Sequence, residues 1–334
     1  MRYIVIGGSG FVGSYTIKEL IKSMNERIIE DRKIICIDIV ENEEINRFKE
    51  VEFINIDIAK NFDFLFYEND VVIHLAARAY ANCKGIRNLE KYFMEVNFFG
   101  TKNILEKMKE GNCKNLIYFS SDMVYGYPKY IPLDSNHSRN PLGEYGKSKK
   151  EAEDLIFEYR KKGINATIFR PRMIVGAGRF GILIKLFKLI DSNFPIPLIG
   201  NGNNCYQMIS VNDCASAIIK AYINKCPNKE LNLGSNNPPS IKNLLNDLIK
   251  NTESKSFLIP LNGRFIKFIL KILQIFKINL MYKEQYAIAN KEYILNTQET
   301  KNILDWEPKY SDAAMMLSAY EEYKNNGDKN GICK

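Results

Sequence analysis

The sequence predicts an α/β protein: a doubly wound parallel sheet with a smaller, partly interleaved C-terminal domain. Two observations carry that expectation. Short apolar runs alternate with amphipathic helical stretches through the first half of the chain. That is the rhythm of parallel strands buried on both faces by crossover helices. A glycine-rich turn also follows the first apolar run directly, and such a turn joins a strand to a helix at the ligand edge of this kind of sheet.

Taken in order, residues 3–6, 33–37, 51–56, 70–75, 115–120 and 166–170 read as strands, because each is a short run rich in Ile, Val, Leu and Phe. Residues 12–24, 92–110 and 146–161 carry helical periodicity between them. After Pro171 the rhythm breaks. Gly176-Ala-Gly178, Pro195-Ile-Pro197 and Gly200-Asn-Gly202 are loop signals. Helical stretches 181–190, 212–224 and 240–250 come among them, with one strand-like piece at 230–233. Residues 1–170 are expected to form the first domain, with 208–234 returning to it. Residues 171–207 and 235–325 make the second domain, and 326–334 a flexible polar tail.

Composition narrows the function classes. A chain of 334 residues fits one large α/β unit or two domains sharing a cleft. Net charge is +8, from 47 basic and 39 acidic residues. The basic residues are dispersed, with no block that would track a phosphate backbone, so nucleic-acid binding is not expected. Seven cysteines are scattered and never spaced C-x-x-C, and only His74 and His137 are available. Neither a disulfide framework nor a metal centre is expected. The first residues already read as a strand, which leaves no room for a signal peptide, so the expected compartment is the reducing cytoplasm.

Gly7-Gly-Ser-Gly10-Phe-Val-Gly13 sits between the first strand and the first helix. This is the context a dinucleotide fingerprint requires: glycines for a tight turn and close phosphate approach, and a helix N-terminus aimed at the pyrophosphate. The fold is therefore expected to be Rossmann-type, with Gly7, Ser9, Gly10, Phe11, Val12 and Gly13 in the cofactor cradle. Asp38 ends the second strand, where a carboxylate accepts the ribose hydroxyls and repels a 2′-phosphate, favouring NAD over NADP. Asp57 and Ile58 end the third strand, within reach of an adenine edge; a solvated loop aspartate is the alternative there. Tyr145 and Lys149 are four residues apart on a predicted helix and share a face. An ammonium held close to a phenol favours the phenolate, so Tyr145 is expected to have a lowered pKa.

With these features the chain resembles the extended short-chain dehydrogenase/reductases of the NAD-dependent epimerase/dehydratase type, over nearly its whole length. The markers are Gly7/Gly10/Gly13, His74-Leu-Ala-Ala77, Asn97-Phe-Phe-Gly100-Thr101, Ser120-Ser-Asp-Met-Val-Tyr-Gly126, Tyr145/Lys149, Arg170-Pro171, Ile209-Ser-Val-Asn-Asp213 and Leu304-Asp-Trp-Glu-Pro308. The resemblance implies a catalytic triad of Ser121, Tyr145 and Lys149, and a cofactor crevice that also takes in Leu75, Ala76, Ala77 and Asn97. His74 reads as a strand residue beside the cofactor. It also implies a homodimer, formed through helices that include 92–110 and 146–161.

Departures from the family pattern narrow the chemistry. Sugar 4,6-dehydratases commonly carry Asp-Glu after the catalytic Ser/Thr; here Asp122 is followed by Met123, which removes the usual base and demotes dehydration. Nucleotide-sugar epimerases usually have Asn where this chain has Met173, and often Arg where it has Tyr206-Gln207. Arg172 and Arg179 could replace that phosphate clamp, or be solvated surface arginines. Asp122, Met123, Arg172, Arg179 and Tyr206 are the candidate substrate residues.

The segment from Arg264 to Met281 interleaves Lys and Arg with Ile, Leu and Phe, the pattern of an amphipathic basic helix. It caps the second domain's core, lies on a membrane surface, or forms a subunit interface. Its layout also looks like that of epimerases acting on polyprenyl-diphosphate-linked amino sugars. The expected function is an NAD-dependent epimerase, at C4, of an activated sugar on a nucleotide or polyprenyl diphosphate. A net sugar dehydrogenase or ketosugar reductase is the main competitor; a dehydratase and a non-catalytic NAD sensor stand behind it.

Overall fold

The computed structural model describes residues 2–80, 83, 85–275 and 280–326. In chain order the strands are β1 (Arg2–Ile6), β2 (Lys33–Asp38), β3 (Val51–Asn55), β4 (Val71–His74), β5 (Asn115–Phe119), β6 (Asn165–Pro171), β7 (Met173–Val175), β8 (Ile196–Ile199), β9 (Met208–Ser210), β10 (Glu230–Leu233) and β11 (Leu258–Leu261). Seven of them form one parallel sheet in the order β10-β6-β5-β4-β1-β2-β3. The order reverses between β1 and β4, and a sheet of this kind opens its ligand crevice at that switch.

The continuous apolar strands follow from burial on both faces. Successive side chains point to opposite sides, so Tyr3, Val5, Cys36, Ile73 and Ile117 pack with helices Phe11–Asn25 and Val211–Ile223. Ile4, Ile6, Ile35, Val72 and Leu116 pack on the other side with Ile104, Leu105 and Ile156. A third core lies beyond the sheet, where Phe187, Leu198, Leu245, Met316 and Tyr320 come together. The chain leaves the sheet after β6 and returns as β10, which pairs Glu230–Leu233 with Ile168–Pro171. Leu304 and Trp306 also join the first core.

Three local expectations change. The loop predicted around Pro195 and Pro197 is strand β8. It pairs with β11 alone, so both strands are edges, where a proline need not donate to a ladder. The helix expected over 92–110 is broken into Leu89–Met94, a π-turn Glu95–Gly100 and Thr101–Glu110. The π-turn carries the buried Asn97, whose amide bonds the Arg78 backbone and Ser148 Oγ. β3 ends at Asn55, so Asp57 lies past the strand in a turn.

The basic amphipathic helix is described as Gly263–Ile275; residues 276–279 of the expected segment, and the expected tail after 326, lie outside the described residues. Leu270 faces inward, whereas Phe265 and Phe268 are 61% and 60% exposed. No helix among the described residues is long and apolar enough to cross a membrane.

Candidate active site

The glycine loop builds a cradle that side chains would fill. Gly7 adopts a left-handed φ of 81°, and a Cβ there would stand 2.6 Å from the Ala76 nitrogen. A Cβ on Gly13 would stand 2.1 Å from the Gly7 carbonyl oxygen. Gly10 is the N-cap of helix Phe11–Asn25, and no side chain caps it. The first-turn amides, beginning with those of Phe11 and Val12, therefore meet the crevice, where they suit a pyrophosphate. Asp38 Oδ2 accepts the Ser9 amide at 3.1 Å and Oδ1 accepts the Ile39 amide at 2.7 Å. These bonds hold the carboxylate beside the loop, while burial pushes its pKa up. Leu75 extends the β4 pairing by donating to Ile6 O at 2.8 Å, which places Ala76 and Ala77 along the rim. These groups fit NAD: backbone amides for its phosphates and a carboxylate for its ribose.

Asp57 is used locally. Its Oδ1 accepts the Ala59 amide at 3.0 Å, and it pairs with Lys60 at 3.2 Å. Ile58 is buried against Gly100, where a Cβ would stand 2.9 Å from its side chain. His74 is buried on β4, with Nε2 2.9 Å from Thr101 Oγ1. Burial lowers its pKa to about 3, so it stays neutral.

Ser121 comes just after β5 and caps the short turn Asp122–Val124, its Oγ accepting the Met123 amide at 3.2 Å. Tyr145 lies in the first turn of helix Glu144–Arg160. Its ring packs on Phe93 at 5.6 Å and Tyr80 at 5.8 Å, and its hydroxyl meets that of Ser121. Lys149, one turn further, is fully buried and donates to Phe119 O at 2.7 Å and Tyr118 Oη at 3.2 Å. The three predicted residues thus converge at the carboxyl end of β5.

The electrostatics differ from the sequence expectation. Burial pushes the Tyr145 phenol up to about 12, against an opposing hydrogen bond from Ser121. Burial also lowers Lys149 to about 7. Spacing puts the pair on one face, but the ammonium is aimed at Phe119 and Tyr118. Desolvation therefore outweighs the expected lysine effect on the phenol.

The candidate substrate residues divide. Arg172, its side chain fully buried, donates from Nη1 to Asp122 Oδ2 at 2.5 Å. Its guanidinium lies 4.1 Å from the Tyr206 ring centre and 4.3 Å from that of Tyr293. This removes the surface-arginine alternative for Arg172, and it leaves Nε and Nη2 without partners. Arg179 is exposed, and its charge lowers the Tyr145 pKa. Met123 is half-buried next to Ser121. Sequence reasoning missed Tyr80, Tyr118 and Glu284, which meet the site through tertiary contacts and carry no local spacing signal.

A doubly wound sheet with this cradle and this Ser-Tyr-Lys cluster defines an extended short-chain dehydrogenase/reductase. The family model described as "NAD dependent epimerase/dehydratase family" matches residues 3–234, and the chain belongs to that family. A Methanocaldococcus jannaschii protein provisionally assigned as a UDP-glucose 4-epimerase is 31% identical over 314 residues, covering 91% of this chain and 97% of that one. The Escherichia coli O157:H7 N-acetyl-alpha-D-glucosaminyl-diphospho-ditrans,octacis-undecaprenol 4-epimerase is 30% identical over 64% of this chain and 61% of its own length. The crystal structure of a UDP-glucuronic acid 4-epimerase from Bacillus cereus with NAD shares the fold, with a TM-score of 0.76 at 20% identity over 97% of this chain and 99% of that one. This protein is an NAD-dependent sugar epimerase or dehydratase.

Proposed function

We propose that the protein is an NAD-dependent C4 epimerase of an activated sugar, carried on a nucleotide or a polyprenyl diphosphate. The observation that carries this reading is the convergence of the Ser121 and Tyr145 hydroxyls beyond β5, beside Met123 rather than the glutamate a dehydratase uses. Bound NAD would supply a reversible hydride acceptor for this chemistry. Tyr145 receives the C4 hydroxyl proton and later gives it back, so the sugar passes through a 4-keto form. Ser121 hydrogen-bonds the same oxygen. Lys149 binds the nicotinamide ribose, and its charge then favours loss of the tyrosine proton. Asp38 holds the adenosine ribose, with Asn97, Leu75 and Ala77 along the crevice wall. Arg172, Asp122, Met123, Tyr206 and Arg179 shape the sugar side.

In this reading residues 1–170 with 208–234 bind NAD, and 171–207 with 235–325 bind the sugar. The protein works in the cytoplasm as a homodimer. The exposed Phe265 and Phe268 beside Arg264 and Lys271 support contact of helix Gly263–Ile275 with a membrane surface, and the similarity to a polyprenol-linked epimerase supports a lipid-carried substrate.

A panel of UDP-, GDP- and polyprenyl-diphosphate sugars, followed for C4 inversion by NMR, tests the function. Inversion without net use of NAD or NADH is expected. Stoichiometric consumption of either would replace the epimerase with a net oxidoreductase, and loss of water would restore the dehydratase.

A further inference from the structure

Glu284 is a buried carboxyl with no part in the chemistry above. It is 1% exposed and lies in the first turn of helix Lys283–Ile288. From there it reaches the start of the helix Glu144–Arg160 that carries Tyr145 and Lys149. That helix begins at Gly143, which has no side chain to cap it, and Glu284 takes the place. The Gly146 amide donates to Glu284 Oε2 at a long 3.4 Å. A Cβ on Gly143 would stand 2.9 Å from the Glu284 carboxyl carbon, so a side chain there would crowd the carboxyl from its present place. Oε1 is buried with no partner.

Two effects compete on this carboxyl. A helix N-terminus favours a negative charge through its free amides and dipole. Burial with an unmet oxygen disfavours it. Burial prevails and pushes the pKa up to about 7, helped by the charge of Asp122 and opposed by Tyr80 and the amides of Gly146 and Tyr145. The groups around Glu284 also surround the tyrosine. Tyr80 stacks on Tyr282 at 4.2 Å and lies 5.8 Å from the Tyr145 ring.

We propose that Glu284 is a positioning residue: as a carboxylate it clasps the first turn of the catalytic helix and fixes where the Tyr145 hydroxyl sits, so turnover falls when it is protonated. This rests on Tyr145 being the proton-transfer residue. Among the described residues, the titratable groups that face Glu284 are Tyr80 from the loop after β4, Asp122 from the turn after β5, and Tyr145 from the helix it clasps. Burial raises both tyrosines, so they keep their protons through neutral pH. Asp122 is the other group on the acid side, and replacing Glu284 alone separates the two.

The test is the pH profile of kcat in wild type, Glu284→Gln and Glu284→Asp, with amide hydrogen exchange over residues 144–149 in the same proteins. Wild type should fall to a plateau about tenfold lower in kcat as pH drops through about 7. Glu284→Gln should lose that acid limb and fall about tenfold on the alkaline side, with KM little changed, while its helix start exchanges faster. Glu284→Asp should recover the limb in part. An unchanged acid limb in Glu284→Gln, or unchanged exchange at the helix start, overturns the proposal. If wild type converts no sugar at all, the functional reading fails, and the exchange comparison still decides whether Glu284 holds the helix.

Discussion

Replacing Lys149 by Met asks whether the buried ammonium is held at a cost to folding. In the NAD-free protein burial lowers its pKa to about 7 from an ordinary 10.5. Each pH unit of that gap is worth about 1.4 kcal/mol, so the buried cation costs roughly 4 kcal/mol at neutral pH. The sign follows from the direction of the shift. A lysine with a lowered folded pKa leaves stability intact above its unfolded pKa and removes it as pH falls toward the folded one. Wild type should therefore gain roughly 3 kcal/mol from this group between pH 7 and about pH 9.5.

Methionine keeps most of the side-chain volume and removes the charge, but it leaves Phe119 O and Tyr118 Oη without their donor, at about 1–3 kcal/mol. Lys149→Met should thus be more stable than wild type by about 2 kcal/mol at pH 7, and should lose that advantage at the higher pH. Urea denaturation of both NAD-free proteins at the two pH values measures it. Tyrosines and cysteines titrate in both chains, so the difference isolates Lys149. A stability gap that does not change with pH would refute the reasoning.

Two further outcomes are expected. Asp38→Ala removes the carboxylate proposed to accept hydrogen bonds from the ribose hydroxyls, so NAD affinity measured by calorimetry should fall about tenfold to a hundredfold; discrimination against NADP should fall with it, and unchanged NAD affinity would remove Asp38 from the cofactor site. Phe265→Glu with Phe268→Glu should weaken sedimentation with anionic phosphatidylglycerol vesicles by more than about tenfold, since each buried Phe contributes about 1.5–3 kcal/mol. Folding should be unaffected, because both rings are exposed; no vesicle binding by wild type at low salt would remove the membrane contact.

The sheet was readable because its strands are buried on both faces and its glycine turn has few uses. The Ser121, Tyr145 and Lys149 cluster was implied by the family resemblance, and for Tyr145 and Lys149 also by their spacing on one predicted helix. What escaped depended on distant partners. Spacing alone put Lys149 near Tyr145, but its direction is set by Phe119 and Tyr118, so the predicted low tyrosine pKa did not follow. Pro197 read as a loop because the sequence does not show that its strand has a single neighbour. The π-turn at Asn97 arises from the Arg78 loop and Ser148. Glu284 has no local pattern at all; it matters only because the fold carries it to Gly143.

The central claim is that hydride leaves and returns to C4 of the sugar while Tyr145 moves the proton. The most direct measurement uses a substrate deuterated at C4 and reads the epimerised product by NMR and mass spectrometry. The account predicts inverted product that keeps its C4 deuterium, with no net change in NAD, and no such product from Tyr145→Phe. Deuterium lost to solvent, or full activity in Tyr145→Phe, would contradict it.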